Sequence, residues 1–240
     1  MSENYGIMNF SNNCYLNVII QILLKNENTK RIIDKHLEYK DNIINPMPVM
    51  KLLSDTLNCD NQNDSQETIT LLTDKLPELD NYITNKVKYY YKCNICQTSR
   101  SKSDSILTFS VFTENVEDSI KNLVNTEQHK LECDNCSKKL RQKTITNTTK
   151  TCKIKKLGDI IIFINILKIK LDIAKTITFN NDTYILTGLI KHYGSQNFGH
   201  YIFIDLEKNI LINDTKISEI SKKDINYDDI YLFFYTKKTK

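Results

Sequence analysis

Residues 5–21 read YGIMNFSNNCYLNVIIQ, and the rest of the chain is organised around them. A polar loop carrying Asn9, Ser11, Asn12 and Asn13 ends at Cys14, where an apolar run from Tyr15 to Leu24 begins. Leu16, Ile19, Ile20, Leu23 and Leu24 recur at helical spacing, which predicts an amphipathic helix with Cys14 in its first turn. The positive end of a helix dipole lowers the pKa of a thiol placed there and favours the thiolate. Backbone N–H groups at the same end, with the loop asparagines, can hold a developing oxyanion. A cysteine protease presents its nucleophile in this way. A small buried hydrophobe would leave the same local pattern, so residues elsewhere must decide between the two.

The composition restricts the choice. A chain of 240 residues with 40% hydrophobic and 26% charged residues has the make-up of a globular protein with a substantial core. The net charge of +4 is mild and the lysines are scattered, apart from a short tail at Lys237–Lys240, so solvated faces are expected and a nucleic-acid interface is not. The most apolar segment, Ile160 to Ile169, is broken by Asn165 and Lys168, so no membrane span is expected. The first residues, MSENYGIMNF, lack the basic and apolar regions of a secretory leader. Seven cysteines, an odd number that includes two C-x-x-C pairs, suit a reducing compartment better than a disulfide framework. The chain reads as intracellular.

Periodicity divides the chain into a helical first third and a β-rich remainder. Asn28 to Tyr39, Pro48 to Leu57 and Ser65 to Leu76 carry apolar residues at three- and four-residue spacing, and Pro77 ends the last of them. From Lys86 onward β-branched and aromatic residues predict strands, among them KVKYYYK, ILTFSVF and KTITNTTKTCKI, with a short helix at Glu114 to Val124. Further strands are expected at Asp159 to Leu167, Thr183 to His192, Tyr201 to Asp205 and Ile230 to Tyr235. The layout is α+β.

Three constellations bear chemistry. Cys93-x-x-Cys96 and Cys133-x-x-Cys136 are separated by residues 97–132, and each pair stands beside a strand. Four thiolates on two knuckles make a closed tetrahedral zinc site, structural in purpose. Neither pair opens a helix in a βαβ unit, which disfavours a redox role. In TGLIKHYGSQNFGHYIFI (187–204), His200 starts a strand after a glycine-flanked loop, and His192 shares that loop. LINDTKI then places Asn213 and Asp214 on the next strand, where the Asn213 carbonyl can fix the tautomer of the His200 ring. Finally, QNDSQE (62–67) precedes a helix. Asp64 and Glu67 there suit a capping box, the reading those residues favour by themselves, or an acidic grip on a basic substrate segment.

Together these pieces resemble the ubiquitin-specific protease family of deubiquitinases, over nearly the whole chain. GIMNFSNNCYLN resembles the family's cysteine box, G-L-x-N-x-G-N-T-C-Y-x-N, and QNDSQETITLLTDKL its Q-Q-D-A-x-E-F-L segment. The C-x-x-C pairs resemble the zinc-binding tips of its fingers, and YILTGLIKHYGSQNFGHYIFI its histidine box. TCKIKKLGDIIIFINILKI and NILINDTKISEI stand where two further family motifs fall. The resemblance implies a papain-like fold, with a helical thumb (1–85), mainly zinc-tipped fingers (86–155) and a β palm (156–240) in one catalytic domain. It implies Cys14 as nucleophile, His200 as base and then acid, Asn213 as the orienting third member, Asp214 as further support for the histidine, and Asn9 as oxyanion donor. Asp64, Gln66 and Glu67 would contact the substrate's extended tail, and Gly199 and Tyr201 would border the channel for its terminal Gly-Gly. One structural zinc ion on Cys93, Cys96, Cys133 and Cys136, ubiquitin and its conjugates as partners, and a monomeric state complete the expectation.

Departures from the family pattern set the alternatives. Ser11 stands at a glycine position and would be strained there if that position needs a positive φ. Asn13 replaces Thr, Thr68 an aromatic, and Asn209 a Trp. With the proposed catalytic residues all present, activity is expected. A weak or inactive ubiquitin-binding module, or a protease for a ubiquitin-like modifier, is the alternative. The trimmed length and the Asn/Ile/Lys-rich composition are a hint of a viral or parasite genome.

Overall fold

The computed structural model describes residues 4–59, 61–195 and 198–238. Gln196 and Asn197 of the glycine-flanked loop and the last two residues of the lysine tail lie outside these. The first part of the chain contributes β1 (Gly6–Ile7), α1 (Cys14–Leu23), α2 (Glu27–Ile33), β2 (Glu38–Lys40), β3 (Ile43–Asn45), α3 (Met47–Leu53), α4 (Ser65–Lys75) and α5 (Asp80–Ile83). There follow β4 (Asn85–Cys93), β5 (Ser99–Ile106), β6 (Thr108–Ser110), α6 (Val116–Val124), β7 (Glu127–Glu132), α7 (Asp134–Leu140) and β8 (Ile145–Lys156). The last part is β9 (Ile160–Ile164), β10 (Thr176–Phe179), β11 (Asp182–Gly194), β12 (Gly199–Asp205), β13 (Ile210–Asn213), β14 (Lys216–Glu219) and β15 (Ile230–Lys237). The α+β layout expected from periodicity is present.

Three sheets result among the described residues. A small one has the order β1-β3-β2, and a four-stranded one the order β5-β4-β8-β7. The eight-stranded sheet runs β14-β13-β12-β11-β15-β9-β6, with β10 added on β11. Its central strands are buried on both faces: all of Ile160–Ile164 is buried, which is why IIIFI is a continuous apolar run and not an alternating one. Among the described residues no helix is long and apolar enough to cross a membrane.

Helix α1 is the axis of the molecule. An amphipathic helix was expected, but every residue from Cys14 to Leu23 is buried, because α4 packs on one side and β12 on another. A helix enclosed in this way needs apolar residues all round, and Tyr15, Val18 and Ile22 supply them on the faces outside the predicted stripe. Its polar residues are therefore costly, since a buried unsatisfied amide costs about 1–3 kcal/mol. Its two amide side chains are paired: Asn17 Nδ2 donates to the Met8 carbonyl at 3.2 Å and Gln21 Nε2 to the Tyr5 carbonyl at 2.8 Å. These bonds clamp residues 5–8 along the helix and fix the loop that leads to Cys14. At the other end, Lys25 Nζ meets Asp205 Oδ2 at 2.9 Å, tying the exit of α1 to the end of β12.

Candidate active site

The loop before Cys14 is built from asparagine side chains that replace missing backbone pairing. Asn9 Oδ1 accepts from the Ser11 and Asn13 N–H groups at 3.2 and 3.3 Å, and Asn13 Oδ1 accepts from Phe10 N–H at 2.8 Å. Asn13 Nδ2 in turn donates to the Met8 carbonyl at 2.9 Å. With its oxygen committed to the loop, the Asn9 side chain must present its NH2 group outward. Ser11 is not among the residues with positive φ, so serine at this position carries no left-handed strain. Asn13 is fully buried and uses both ends of its amide, so it serves the loop well.

Asp214 departs from its expected place. Strand β13 ends at Asn213, and Asp214 lies in the two-residue turn to β14 with φ of 52°, a left-handed conformation that Asp tolerates. The turn docks on the first strand through a hydrogen bond from Ile7 N–H to the Asp214 carbonyl at 2.9 Å. The approach is close enough that a Cβ on Gly6 would come within 2.7 Å of the Thr215 carbonyl oxygen. Only glycine fits there. The Asp214 carboxylate accepts from Asn9 Nδ2 at 2.8 Å and Asn17 Nδ2 at 2.7 Å. Support for the histidine was expected of it, but its two oxygens hold the asparagines.

His200 has its own partner. Strands β12 and β13 are antiparallel neighbours, and His200 Nε2 lies 2.7 Å from Asn213 Oδ1. A carbonyl oxygen there assigns the proton to Nε2 and leaves Nδ1 as an acceptor, the form a general base needs. Because α1 packs on β12, the Cys14 thiol meets the backbone of Tyr201, the residue after His200. A hydrogen bond between the thiol and the His200 ring is not among the contacts of the described residues. Such bonds commonly tighten only when substrate is bound.

The thiol itself differs from expectation. Cys14 is 2% exposed, and burial pushes its pKa above the ordinary thiol value, opposed by the Tyr201 backbone N–H and reinforced by the Asp214 charge. Burial outweighs the helix dipole that favoured the thiolate. A raised pKa means less thiolate at neutral pH than an ordinary cysteine has. The rate of Cys14 alkylation in the free protein, followed by site-resolved mass spectrometry, is therefore expected to climb on the alkaline side of the ordinary thiol range. A rate already at its plateau in mild acid would contradict this and indicate a preformed thiolate–imidazolium pair.

Across the cleft, the loop before α4 faces the start of β12. The Gln62 side-chain amide bonds both the N–H and the carbonyl of Gly199. Gly199 sits directly on the His192 ring, where any Cβ would overlap Nε2. His192 stacks on Tyr201 with ring centroids 4.3 Å apart, and Tyr201 is buried beneath the cleft. Burial, helped by Lys168 and opposed by Asp64, lowers the His192 pKa and favours the neutral ring. Asp64 caps α4 as the isolated residues suggested, with Oδ1 accepting from Gln66 and Glu67 N–H at 2.7 and 3.1 Å. Its other oxygen takes the Tyr231 hydroxyl. Glu67 is exposed, and Gln66 Nε2 reaches Thr108 Oγ1 at 3.5 Å. The sequence reading assigned no role to Gln62 or Tyr231. Gln62 opened a segment already singled out, but nothing local to Tyr231 marked it.

The four cysteines of the C-x-x-C pairs meet at the far end of the four-stranded sheet, their sulfurs all within 4.8 Å of one another. Cys93 Sγ is 3.9 Å from Cys136 Sγ, and Cys96 Sγ is 3.5 Å from Cys133 Sγ. Sulfurs at about 2.3 Å from a tetrahedral ion lie about 3.8 Å apart, so the donor set fits a metal ion. Hydrogen bonds from Thr98 and Asn135 draw the Cys96 pKa down to about 5, favouring the thiolate, while burial raises that of Cys136 to about 12. The second pair opens a helix, since Cys133 is the N-cap of α7. Strands β7 and β8 are antiparallel, however, so the unit is not βαβ. None of the seven cysteines is in a disulfide.

A cysteine at the start of a buried central helix, facing a histidine–asparagine pair on the adjoining sheet, defines a papain-like cysteine protease. A family model described as ubiquitin carboxyl-terminal hydrolase matches residues 5–235, and the chain belongs to that family. It is a deubiquitinating cysteine protease by that membership. Among solved structures, a chain of the SAGA Ubp8/Sgf11/Sus1/Sgf73 DUB module bound to ubiquitin aldehyde matches with a TM-score of 0.76 at 16% identity, over 98% of this chain and 70% of that one. The same module with a variant Ubp8, bound to monoubiquitin, matches with a TM-score of 0.72 at 16% identity, over 98% and 69%. These likenesses establish the ubiquitin-specific-protease type of fold. No curated protein matches the chain.

Proposed function

We propose that the chain hydrolyses the bond after the C-terminal Gly-Gly of ubiquitin, with Cys14 as nucleophile. The observation that carries this reading is the 2.7 Å contact of His200 with Asn213, which leaves the other ring nitrogen free to take the Cys14 proton. The thiolate adds to the glycine carbonyl, and the oxyanion is held by the outward NH2 of Asn9 and by N–H groups at the start of α1. His200 passes the proton to the departing lysine amine, leaving a thioester. It then takes a proton from water, whose attack releases the acid and restores the thiol. Asp64, Gln66, Glu67, Gly199 and Tyr201 are read as the walls of the tail's path.

The metal is read as one structural zinc ion. The all-sulfur, closed donor set supports this, and it leaves no open position for chemistry. When bound, the ion would supply cross-linking of β4 to α7 and nothing to the reaction. We read 1–85, 86–155 and 156–240 as thumb, mainly fingers and palm, and the chain as active alone, since one chain supplies every proposed site residue. The unbridged cysteines support a reducing compartment.

Ubiquitin carrying a C-terminal thiol-reactive group tests the assignment. A covalent adduct that Cys14→Ala abolishes is the expected result. A folded protein that binds ubiquitin but forms no adduct would replace this reading with that of an inactive binding module.

A further inference from the structure

Two clefts flank the reaction centre. One, of about 510 Å³, is lined by Asn12, Asn61, Gln62, Phe198 and Gly199, on the side assigned above to the ubiquitin tail. The other, of about 410 Å³, is lined by Met8, Asn9, Phe10, Asn213, Asp214, Thr215 and Lys216. Its inner wall includes the oxyanion asparagine and the residue that orients His200, but nothing from the loop before α4. A scissile bond seated between Cys14 and Asn9, with its acyl side on Gly199, must direct its departing amine into this second cleft.

We infer that this cleft receives the lysine-bearing segment of the conjugated target and favours acidic residues beside that lysine. The inference rests on the function proposed above. Two side chains give the cleft its character. Phe10 is 51% exposed although aromatic, it lines the cleft, and the bond from its N–H to Asn13 fixes the backbone that carries the ring. An acceptor lysine carries a four-carbon stem that must lose water as it enters, and an aromatic wall is suited to cover it. The lining contributes two charges. Asp214 is half-buried with both oxygens turned to Asn9 and Asn17, whereas Lys216 is exposed at the rim and has no ion pair among the described residues. Residues flanking the acceptor lysine therefore meet the Lys216 ammonium first.

The test uses ubiquitin joined through an isopeptide bond to the central lysine of two short peptides, one with glutamates and one with lysines at the flanking positions. Ubiquitin ethyl ester, whose leaving group fills neither cleft, is the reference. The full chain is expected to prefer the acidic conjugate by about two- to fivefold in kcat/KM at low salt, the scale of an exposed ion pair, with the preference fading as salt screens it. Lys216→Glu should reverse the preference and leave ethyl ester hydrolysis unchanged. Phe10→Ala should lower turnover of both conjugates several-fold relative to the ester. Equal ratios in the wild type and Lys216→Glu would overturn the inference while ester hydrolysis upholds the proposed function. Absence of ester hydrolysis would overturn both.

Discussion

Asp214→Asn is expected to lower kcat by about 10²–10³-fold while making Cys14 more reactive towards a small alkylating agent at neutral pH. The first effect follows from the hydrogen bonds. The carboxylate accepts one N–H from Asn9 and one from Asn17, and the Asn9 oxygen is already held by the loop, so this carboxylate determines where the second Asn9 N–H points. An asparagine at 214 keeps the left-handed turn but can offer only one acceptor oxygen. Its NH2 must then confront the NH2 of Asn9 or of Asn17. If Asn9 is the oxyanion donor proposed above, misaiming it approaches the loss of one donor, which costs about 10²–10³ in kcat. The second effect follows from charge: Asp214 is one cause of the raised Cys14 pKa, so neutralising it eases thiolate formation. Turnover and thiol reactivity should move in opposite directions with the melting temperature unchanged; a lowered melting temperature would attribute the faster alkylation to exposure of the buried Cys14. Asn213→Ala removes one neutral hydrogen bond to His200 and should cost about tenfold. If Asn213→Ala proves the more damaging and Asp214→Asn costs less than tenfold, the Asp214 carboxylate has no part in aligning Asn9.

That division of labour between adjacent residues was not legible in the sequence. Residues 213 and 214 are polar, adjacent and equally able to serve a histidine, and alternation along a strand says only that they face opposite ways. What separates them is the turn, and the turn is placed by Gly6, more than two hundred residues away. The cysteine helix was legible because its periodicity is local. Its complete burial was not, since a stripe of five apolar residues is compatible with one packed face or with several. For the same reason the dipole argument for a lowered thiol pKa failed, because how deeply Cys14 is covered depends on α4 and β12.

Elements without a hydrophobic pattern were missed for a related cause. Strand β5 reads SRSKSDSI and is exposed along almost its full length, so it offers no alternation to detect and exists because β4 pairs with it. Strands β1, β2 and β3 are only two or three residues each and follow from clamping the first segment against α1. The cysteine spacing, by contrast, was informative at long range. Four sulfurs can share one ion only if their strands meet, so the motif itself predicts tertiary structure.

Cys136→Ser is expected to remove the metal and lower the melting temperature by about 10 °C or more. At the far end of the four-stranded sheet the buried cluster consists of Cys93, Cys133 and Cys136, with Cys96 packed against them and no aliphatic side chain among them. The sheet there is polar on both edges, and β5 and β7 gain little from burial. The proposed ligation would there supply what a hydrophobic core supplies elsewhere. Apparent zinc affinities of small thiolate sites are about 10–16 kcal/mol. Here β4 and β8 are already paired, so only part of that is lost with the ion. Even a loss of about 4 kcal/mol shifts the melting temperature of a chain this size by about 10 °C. Elemental analysis of the purified chain should find one zinc per molecule, absent from Cys136→Ser, and a chelator should reproduce the melting shift in the wild type alone. Hydrogen exchange should speed up in β5, β7 and α7 before the eight-stranded sheet responds, because the buried aromatic and aliphatic cluster of that sheet takes in only Val87, Cys152 and Ile154 from β4 and β8 and no buried residue from β5, β7 or α7. A chain free of metal that melts together with its Cys136→Ser variant would show that the four thiols pack as they stand.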